Sequence, residues 1–247
     1  MEDIVSRKKL IAIGDSFTAH AQLDITQKEV YPFDVWSMHL ANKLDMDCVN
    51  LGKRGQGNEY ISAKLIDTVL ADKKEDIGLV VLMWSAWPRI DFQGDRGDWQ
   101  ISMRRRTRVD SYGALYDHAT GEAVISEFNE TMRTLRYFLI AQRLLEDIPY
   151  LMIQGIGTNL THGRDIDRAE WIHPFINSKI FYEIDEDKFI GWPILQEIGG
   201  HNVENMLDKL DPERTDLRIS DEDSHPNAEG HKIMAQEIYN AYEKIYT

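Results

Sequence analysis

Apolar residues run along this chain in short unbroken blocks, and between the blocks they fall three and four apart. Leu10-Ile11-Ala12-Ile13 ends at Gly14 and predicts a buried strand. Tyr31 to Leu44 carries Phe33, Trp36, Leu40 and Leu44 on one stripe and predicts an amphipathic helix. Asp47 to Leu51 reads as a second strand, closed by the glycine-rich turn Gly52 to Gly57. Helical spacing returns from Glu59 to Ala71 through Ile61, Leu65, Ile66 and Val69. Gly78 to Trp84 is the strongest strand signal, continuous and β-branched at its centre. Glu122 to Asp147 predicts a long helix with the stripe Ile125, Phe128, Met132, Leu135 and Leu139. Tyr150 to Gln154 predicts a fourth strand. The final helix is expected over Pro226 to Tyr246, with Ile233, Met234, Ile238, Tyr242 and Ile245 facing inward.

Continuous apolar strands alternating with amphipathic helices mean an α/β fold, with helices covering both faces of one parallel sheet. No internal repeat or Pro/Gly/Ser linker interrupts the pattern, which points to a single domain over 1–247. Two long polar, aromatic-studded segments, 87–121 and 156–224, read as insertions above the sheet. In such a sheet ligands bind beyond the carboxyl ends of the strands, so chemistry belongs near Gly14, Gly52, Trp84, Gly155 and the turn before the last helix.

Composition narrows the function classes. The 247 residues are 43% hydrophobic and 10% aromatic, enough for a sizeable core. A net charge of −14 opposes general binding to nucleic acid or anionic membrane. The single cysteine, Cys48, excludes a disulfide framework and a multi-cysteine zinc site, and its apolar surroundings favour an inert buried thiol. The first residues do not look like a secretory signal, and the longest apolar stretch, Ile77 to Pro88, is too short to span a bilayer. A soluble cytoplasmic protein, alone or as part of a larger particle, is the expectation. The remaining histidines are scattered without metal-ligand spacing, and His225 and His231, six apart, do not share a helical face.

Two short blocks carry candidate chemistry. Gly14-Asp15-Ser16-Phe17-Thr18 follows the first strand, where a serine hydroxyl projects over the sheet edge beside backbone N–H groups. Taken alone, the block also reads as a helix cap. Near the other end, Asp221-Glu222-Asp223-Ser224-His225-Pro226-Asn227 sets a histidine before a helix, with acids two, three and four residues upstream. A serine needs a base, and the base needs an acceptor on its other nitrogen. The loop taken alone also reads as a solvated acidic turn.

With the turn Asn50-Leu51-Gly52-Lys53-Arg54-Gly55 between them, these blocks resemble the SGNH (GDSL-type) hydrolase family in order and spacing across nearly the whole chain. The resemblance implies a three-layer α/β/α, flavodoxin-like fold with about five parallel strands. It also implies serine esterase, lipase or carbohydrate deacetylase activity without a cofactor. By position, Ser16 is the nucleophile and His225 the general base, and the Ser16 and Gly55 N–H groups form part of the oxyanion hole. Asp223 is the preferred acid, since Asp-x-His-Pro-Asn is a family-like string. Glu222 stays open, because the family usually places its Asp three residues before the histidine. The family's Gly-x-Asn-Asp block is missing: the third strand runs into Trp84-Ser85-Ala86-Trp87-Pro88-Arg89. Ser85 or Trp84 is the expected substitute oxyanion donor.

Arg89, Arg96, Arg104, Arg105, Arg106 and Arg108 crowd the first insertion beside Trp87, Phe92 and Trp99. They read as a substrate-binding lid, led by Arg89 and Trp87, or as a solvated loop or subunit contact. The sequence therefore points to hydrolysis of short acyl esters, such as O-acetyl groups of carbohydrates. The alternative is a non-catalytic glycan-binding or assembly module of the same fold. Expected partners are a small-molecule or glycan ester and further copies or a larger assembly, not nucleic acid or membrane.

Overall fold

All eight residues of the central strand Ile77–Trp84 are buried, so both of its faces must be covered. The computed structural model describes residues 7–20, 22–23, 30–31, 33–87, 89–95, 97–103, 127–157, 169–220 and 223–247. Its elements are β1 (Lys9–Gly14), β2 (Gln22–Leu23), β3 (Val30–Tyr31), α1 (Trp36–Leu44), β4 (Asp47–Asn50), α2 (Asn58–Ala71), β5 (Ile77–Trp84), β6 (Arg89–Gln93), β7 (Trp99–Met103), α3 (Glu127–Leu144), β8 (Tyr150–Gln154), α4 (Ala169–Ile176), β9 (Phe189–Ile190), α5 (Val203–Leu210) and α6 (Ala228–Tyr246). Five strands form one parallel sheet in the order β4-β1-β5-β8-β9. The protein is thus the three-layer α/β/α structure that the blocks of sequence imply.

Strand alternation divides the core between the two faces. Val80, Leu82 and Trp84 pack with Leu65 of α2, Leu135 and Phe138 of α3 and Phe175 of α4. Leu79, Val81 and Met83 face the other layer, with Trp36 and Leu40 of α1, Leu207 of α5 and Met234 and Ile238 of α6. At about 25 cal/mol per Å² of apolar surface, these two layers dominate the stability of the fold. No helix among the described residues is long and apolar enough to cross a membrane.

The structure corrects several sequence expectations. The helix expected from Tyr31 starts only at Trp36, because Val30–Tyr31 pairs with Gln22–Leu23 in a small antiparallel ribbon. Helix α3 keeps Met132, Leu135 and Leu139 of the expected stripe against the core, but Phe128 is 60% exposed and the buried face takes in Glu130, Thr131 and Thr134 beside Phe138. The apolar stripe missed this because buried polar residues there satisfy neighbours, as Thr134 does for Asn58. Segment 156–224 is not wholly above the sheet: Phe189–Ile190 forms the fifth strand, and Phe175, Ile194 and Leu195 join the main core. A two-residue strand is too short to leave a period-2 signal. In segment 87–121, β6 and β7 pair antiparallel as a hairpin, whereas residues 104–126 lie outside the described residues.

The turn after β4 is held against the end of β1, since Leu51 N–H donates to Ala12 C=O at 2.8 Å and Lys53 N–H to Gly14 C=O at 3.0 Å. Asn50 ties the same corner together. Its amide donates to Thr18 C=O at 2.6 Å and Ser37 Oγ at 2.8 Å, and its Oδ1 accepts from Gly52 N–H at 2.8 Å. Gly52 is required by this closeness, because a Cβ there would sit 2.6 Å from the Ala19 nitrogen and the Thr18 carbonyl carbon. Gly52→Ala is expected to destabilise the protein by about 1–3 kcal/mol through overpacking. The check is chemical denaturation; an unchanged midpoint contradicts the packing.

Candidate active site

The two blocks at opposite ends of the chain meet beyond the strand ends. Strand β1 runs out at Gly14, and the turn that follows is fixed by Asp15, whose Oδ1 accepts the Phe17 N–H at 3.0 Å while its backbone C=O accepts from Thr18 and Ala19. This geometry sets Ser16 over the edge of the sheet. His225 lies 209 residues later, and its Nε2 is 2.8 Å from Ser16 Oγ.

The histidine loop is built as firmly. The Asn227 side chain caps α6, with Oδ1 accepting from Glu229 and Gly230 N–H, and its amide donates to Asp216 and Arg218 C=O at 2.9 Å. The buried guanidinium of Arg218 donates to Ser224 C=O at 2.9 Å and to Asp208 Oδ1 at 2.7 Å. Ile219 N–H closes the loop onto His225 C=O at 2.9 Å. Asp223 Oδ1 then sits 2.5 Å from His225 Nδ1 and also accepts the His225 backbone N–H at 3.1 Å. With the Nδ1 proton donated to Asp223, Nε2 is left to accept the Ser16 hydroxyl. The Phe17 ring, tilted 60° at 5.5 Å, walls the imidazole. Asp223 is 5% exposed and His225 26%, a shielded carboxyl behind a partly open imidazole. Glu222 lies outside the described residues.

Gly55 stands in the turn pinned beside β1 with φ of +72°, a left-handed conformation natural to glycine. The expected substitute donors are placed differently. Ser85 is fully buried and its hydroxyl donates to Asp15 Oδ2, which removes it from reach of an acyl group. Trp84 is also fully buried, its ring 5.0 Å from Phe138 in the core. Trp87, read as substrate-binding, is a core residue stacked on Phe175 at 5.2 Å, since Ala86 and Trp87 continue the buried run of β5. Arg89 is bonded to the residue before Ser16: its Nη1 donates to Asp15 Oδ2 at 2.9 Å, Ser85 Oγ at 2.8 Å and Gln56 C=O at 3.1 Å. Of the aromatic residues nearby, Phe92 is 48% exposed and Trp99 packs edge-on against Tyr60. Arg96, Arg104, Arg105, Arg106 and Arg108 lie outside the described residues.

Sequence reasoning missed the polar network beneath Ser16. Asn58 Oδ1 accepts Ser85 N–H at 2.7 Å and its amide donates to Ser85 C=O at 3.1 Å and to Thr134 Oγ1 at 3.4 Å, so Asn58 ties Ser85 to α3. Gln154 donates to the same carbonyl at 2.8 Å and to Ile156 C=O at 2.7 Å. Asp91 Oδ2 accepts from Gly57 N–H at 2.6 Å and Tyr60 N–H at 3.1 Å at the start of α2, and burial pushes its carboxyl up from the usual range. A polar residue ending an apolar strand, as Gln154 does, was the available signal. Cys48 is half-buried, and burial pushes its thiol up, away from nucleophilic use. Among the described residues no group of three His, Cys, Asp or Glu side chains is arranged to hold a metal ion.

A likeness to known structures enters here. No family model and no curated protein sequence matches the chain. Among solved structures, a member of the lipolytic protein G-D-S-L family from Veillonella parvula DSM 2008 superposes with a TM-score of 0.51 at 12% identity, covering 96% of this chain and 100% of that one. The chain has the SGNH-type hydrolase fold. The psychrotrophic esterase EstA from a Pseudoalteromonas species is also similar, with a TM-score of 0.49, 13% identity and coverage of 96% and 97%. A protein assigned to the lipolytic G-D-S-L family from Desulfitobacterium hafniense DCB-2 gives 0.48, 16%, 95% and 99%.

The SGNH-type fold here carries a second, contrasting histidine. His231 is fully buried in α6, accepts the Trp36 N–H on Nδ1 at 3.2 Å and lies 5.6 Å from the Phe33 ring. Burial, reinforced by His39 and His225, pushes its pKa from 6.5 down to about 3. The unfolded chain therefore binds a proton that the folded chain refuses. The contribution is complete above pH 6.5 and is lost as pH falls toward 3. Across that window unfolding free energy should fall by up to about 1.4 kcal/mol per pH unit from this one group. His231→Gln, which keeps an acceptor but does not titrate, should flatten the slope. An unchanged slope in pH-dependent denaturation contradicts the assignment.

Proposed function

We propose that the protein is a serine ester hydrolase acting on short acyl esters such as O-acetyl groups of carbohydrates. The observation that carries the reading is the continuous relay Ser16 Oγ–His225 Nε2 at 2.8 Å and His225 Nδ1–Asp223 Oδ1 at 2.5 Å. Ser16 Oγ attacks the ester carbonyl carbon and its proton passes to His225 Nε2. The electron pair displaced onto the carbonyl oxygen is met by the backbone N–H groups of Ser16 and Gly55. Collapse of the tetrahedral intermediate breaks the bond to the alcohol, which leaves with the proton from His225. Water, deprotonated by the same nitrogen, then releases the acid and restores Ser16. Asp223 holds the imidazole in the tautomer that accepts and stabilises the imidazolium.

The polar, Arg- and Trp-bearing composition of 87–121 and 156–224 supports a hydrophilic, sugar-borne ester over a long-chain lipid. A second reading keeps one observation in its favour: no asparagine follows β5, and Ser85 and Trp84 are both buried, which suits a non-catalytic glycan-binding or assembly module.

A small fluorophosphonate separates the two, because it forms a Ser O–P bond with loss of fluoride and needs no natural substrate. Intact mass should show one adduct on the wild type and none on Ser16→Ala. His225→Ala should lower kcat on an aryl acetate by about 10⁴- to 10⁶-fold. Acetylated xylan should be turned over in preference to long-chain esters. No adduct on folded wild type sinks the enzyme reading, and preference for long chains sinks the substrate class.

A further inference from the structure

The oxyanion of the proposed reaction lacks its third donor, and the structure places a guanidinium on Asp15 and Gln56, the residues next in sequence to Ser16 and Gly55. Arg89 Nη1 bonds Asp15, the residue before Ser16, and the carbonyl of Gln56, the residue after Gly55. Arg89 is thus in contact with the sequence neighbour of each residue whose backbone N–H is assigned to the oxyanion. We propose that the second arm of the Arg89 guanidinium donates to the oxyanion, in the place that an asparagine side chain would otherwise fill.

Three observations support this role over simple neutralisation of Asp15. An arginine paired with a carboxylate frequently engages it with both arms of its fork. Here Nη1 makes all three contacts, to Asp15, Ser85 and Gln56, while Nη2 and Nε donate to no acceptor among the described residues. The side chain is 14% exposed, so the unused arm is sheltered yet not sealed in the core. The arginine is also held in place before any substrate arrives. Its backbone N–H donates to Ala86 C=O at 3.1 Å, and its C=O accepts from Arg133 Nη2 at 3.1 Å. Asp91, two residues on, clamps β6 to the start of α2. A donor fixed in advance and carrying positive charge is what an oxyanion requires.

In chemical terms, as the Ser16 Oγ–carbon bond forms and the carbonyl π pair moves to oxygen, that oxygen gains a third N–H donor. No bond to Arg89 forms and no proton leaves it. The charge on the guanidinium also explains how Ser85 can be spent on Asp15 without loss: its hydroxyl and Asp15 together aim Arg89.

This inference rests on the ester-hydrolase reading, and its test separates the two. Arg89→Lys keeps a cation for Asp15 but has no second arm. It should fold with a thermal midpoint near wild type, lower kcat on an aryl acetate about 10²- to 10³-fold, and leave KM within about threefold. Ser16 phosphonylation by a fluorophosphonate should slow by a similar factor, since the phosphoryl oxygen occupies the same place. Methylguanidinium at millimolar concentration should restore part of the turnover of Arg89→Ala and none of that of Ser16→Ala. Should Arg89→Lys fail to fold, the paired variant Asp15→Asn with Arg89→Gln removes both charges together and carries the same expectation. Arg89→Lys with kcat within threefold of wild type overturns the proposal, and so does a loss confined to KM, which would make Arg89 a substrate anchor. Wild type that does not label at Ser16 overturns the ester-hydrolase reading and this proposal together; labelled wild type with an indifferent Arg89 overturns this proposal alone.

Discussion

Asp15 has no exposure, and the ends of three strands are arranged around its carboxyl group. Leaving such a group buried without partners costs several kcal/mol, so the fold must bring donors to it. Phe17 N–H comes from its own turn after β1, Ser85 Oγ–H from the end of β5, and Arg89 Nη1 from the start of β6. Satisfying one carboxylate therefore joins the Ser16 turn, the central strand and the β6–β7 hairpin. The same demand draws in Asn58 and Gln154, which hold the Ser85 backbone. Polar groups buried at the strand ends thus determine where Ser16 can stand, while the apolar layers below supply most of the stability.

A parallel sheet explains why residues 209 apart can act together. Every strand of the sheet points its carboxyl end the same way, so each following loop opens on the same edge. The chain enters this edge first with Ser16 after β1 and last with His225 before α6. What sequence distance costs in entropy is offset by pinning each loop separately, through Asp15 at one end and through Arg218 and Asn227 at the other. His231, six residues after His225 and inside α6, puts a second imidazole to a different use: it lies in the core, and burial keeps it neutral.

Four of the five strands of the main sheet and the principal helices were legible because burial on two faces or one leaves a clear period in the sequence. Tyr150–Gln154 is an instance in which pattern and structure coincide. Ser16 and His225 were legible as blocks because each sits at a turn whose neighbours are constrained. What escaped was short, polar or tertiary. Phe189–Ile190 has too few residues to show a period, and the inward face of α3 includes Glu130, Thr131 and Thr134, which no apolar stripe can reveal. Trp87 looked like a binding residue because a tryptophan beside arginines suggests stacking, yet it lies in the core against Phe175. Ser85 looked available until Asp15 was seen to need its proton. Both Trp87 and Ser85 have partners that lie far away in the chain.

The account depends on Ser16, His225 and Asp223 working as one relay, so the most direct measurement is kcat/KM of Asp223→Asn on a soluble aryl acetate, taken beside its thermal midpoint. An asparagine keeps the size of the side chain but can present an N–H to Nδ1, which forces the imidazole into the tautomer unable to accept from Ser16. The account predicts a fall of about 10⁴-fold with the folded structure intact. Activity within tenfold of wild type in a fully folded variant would contradict it.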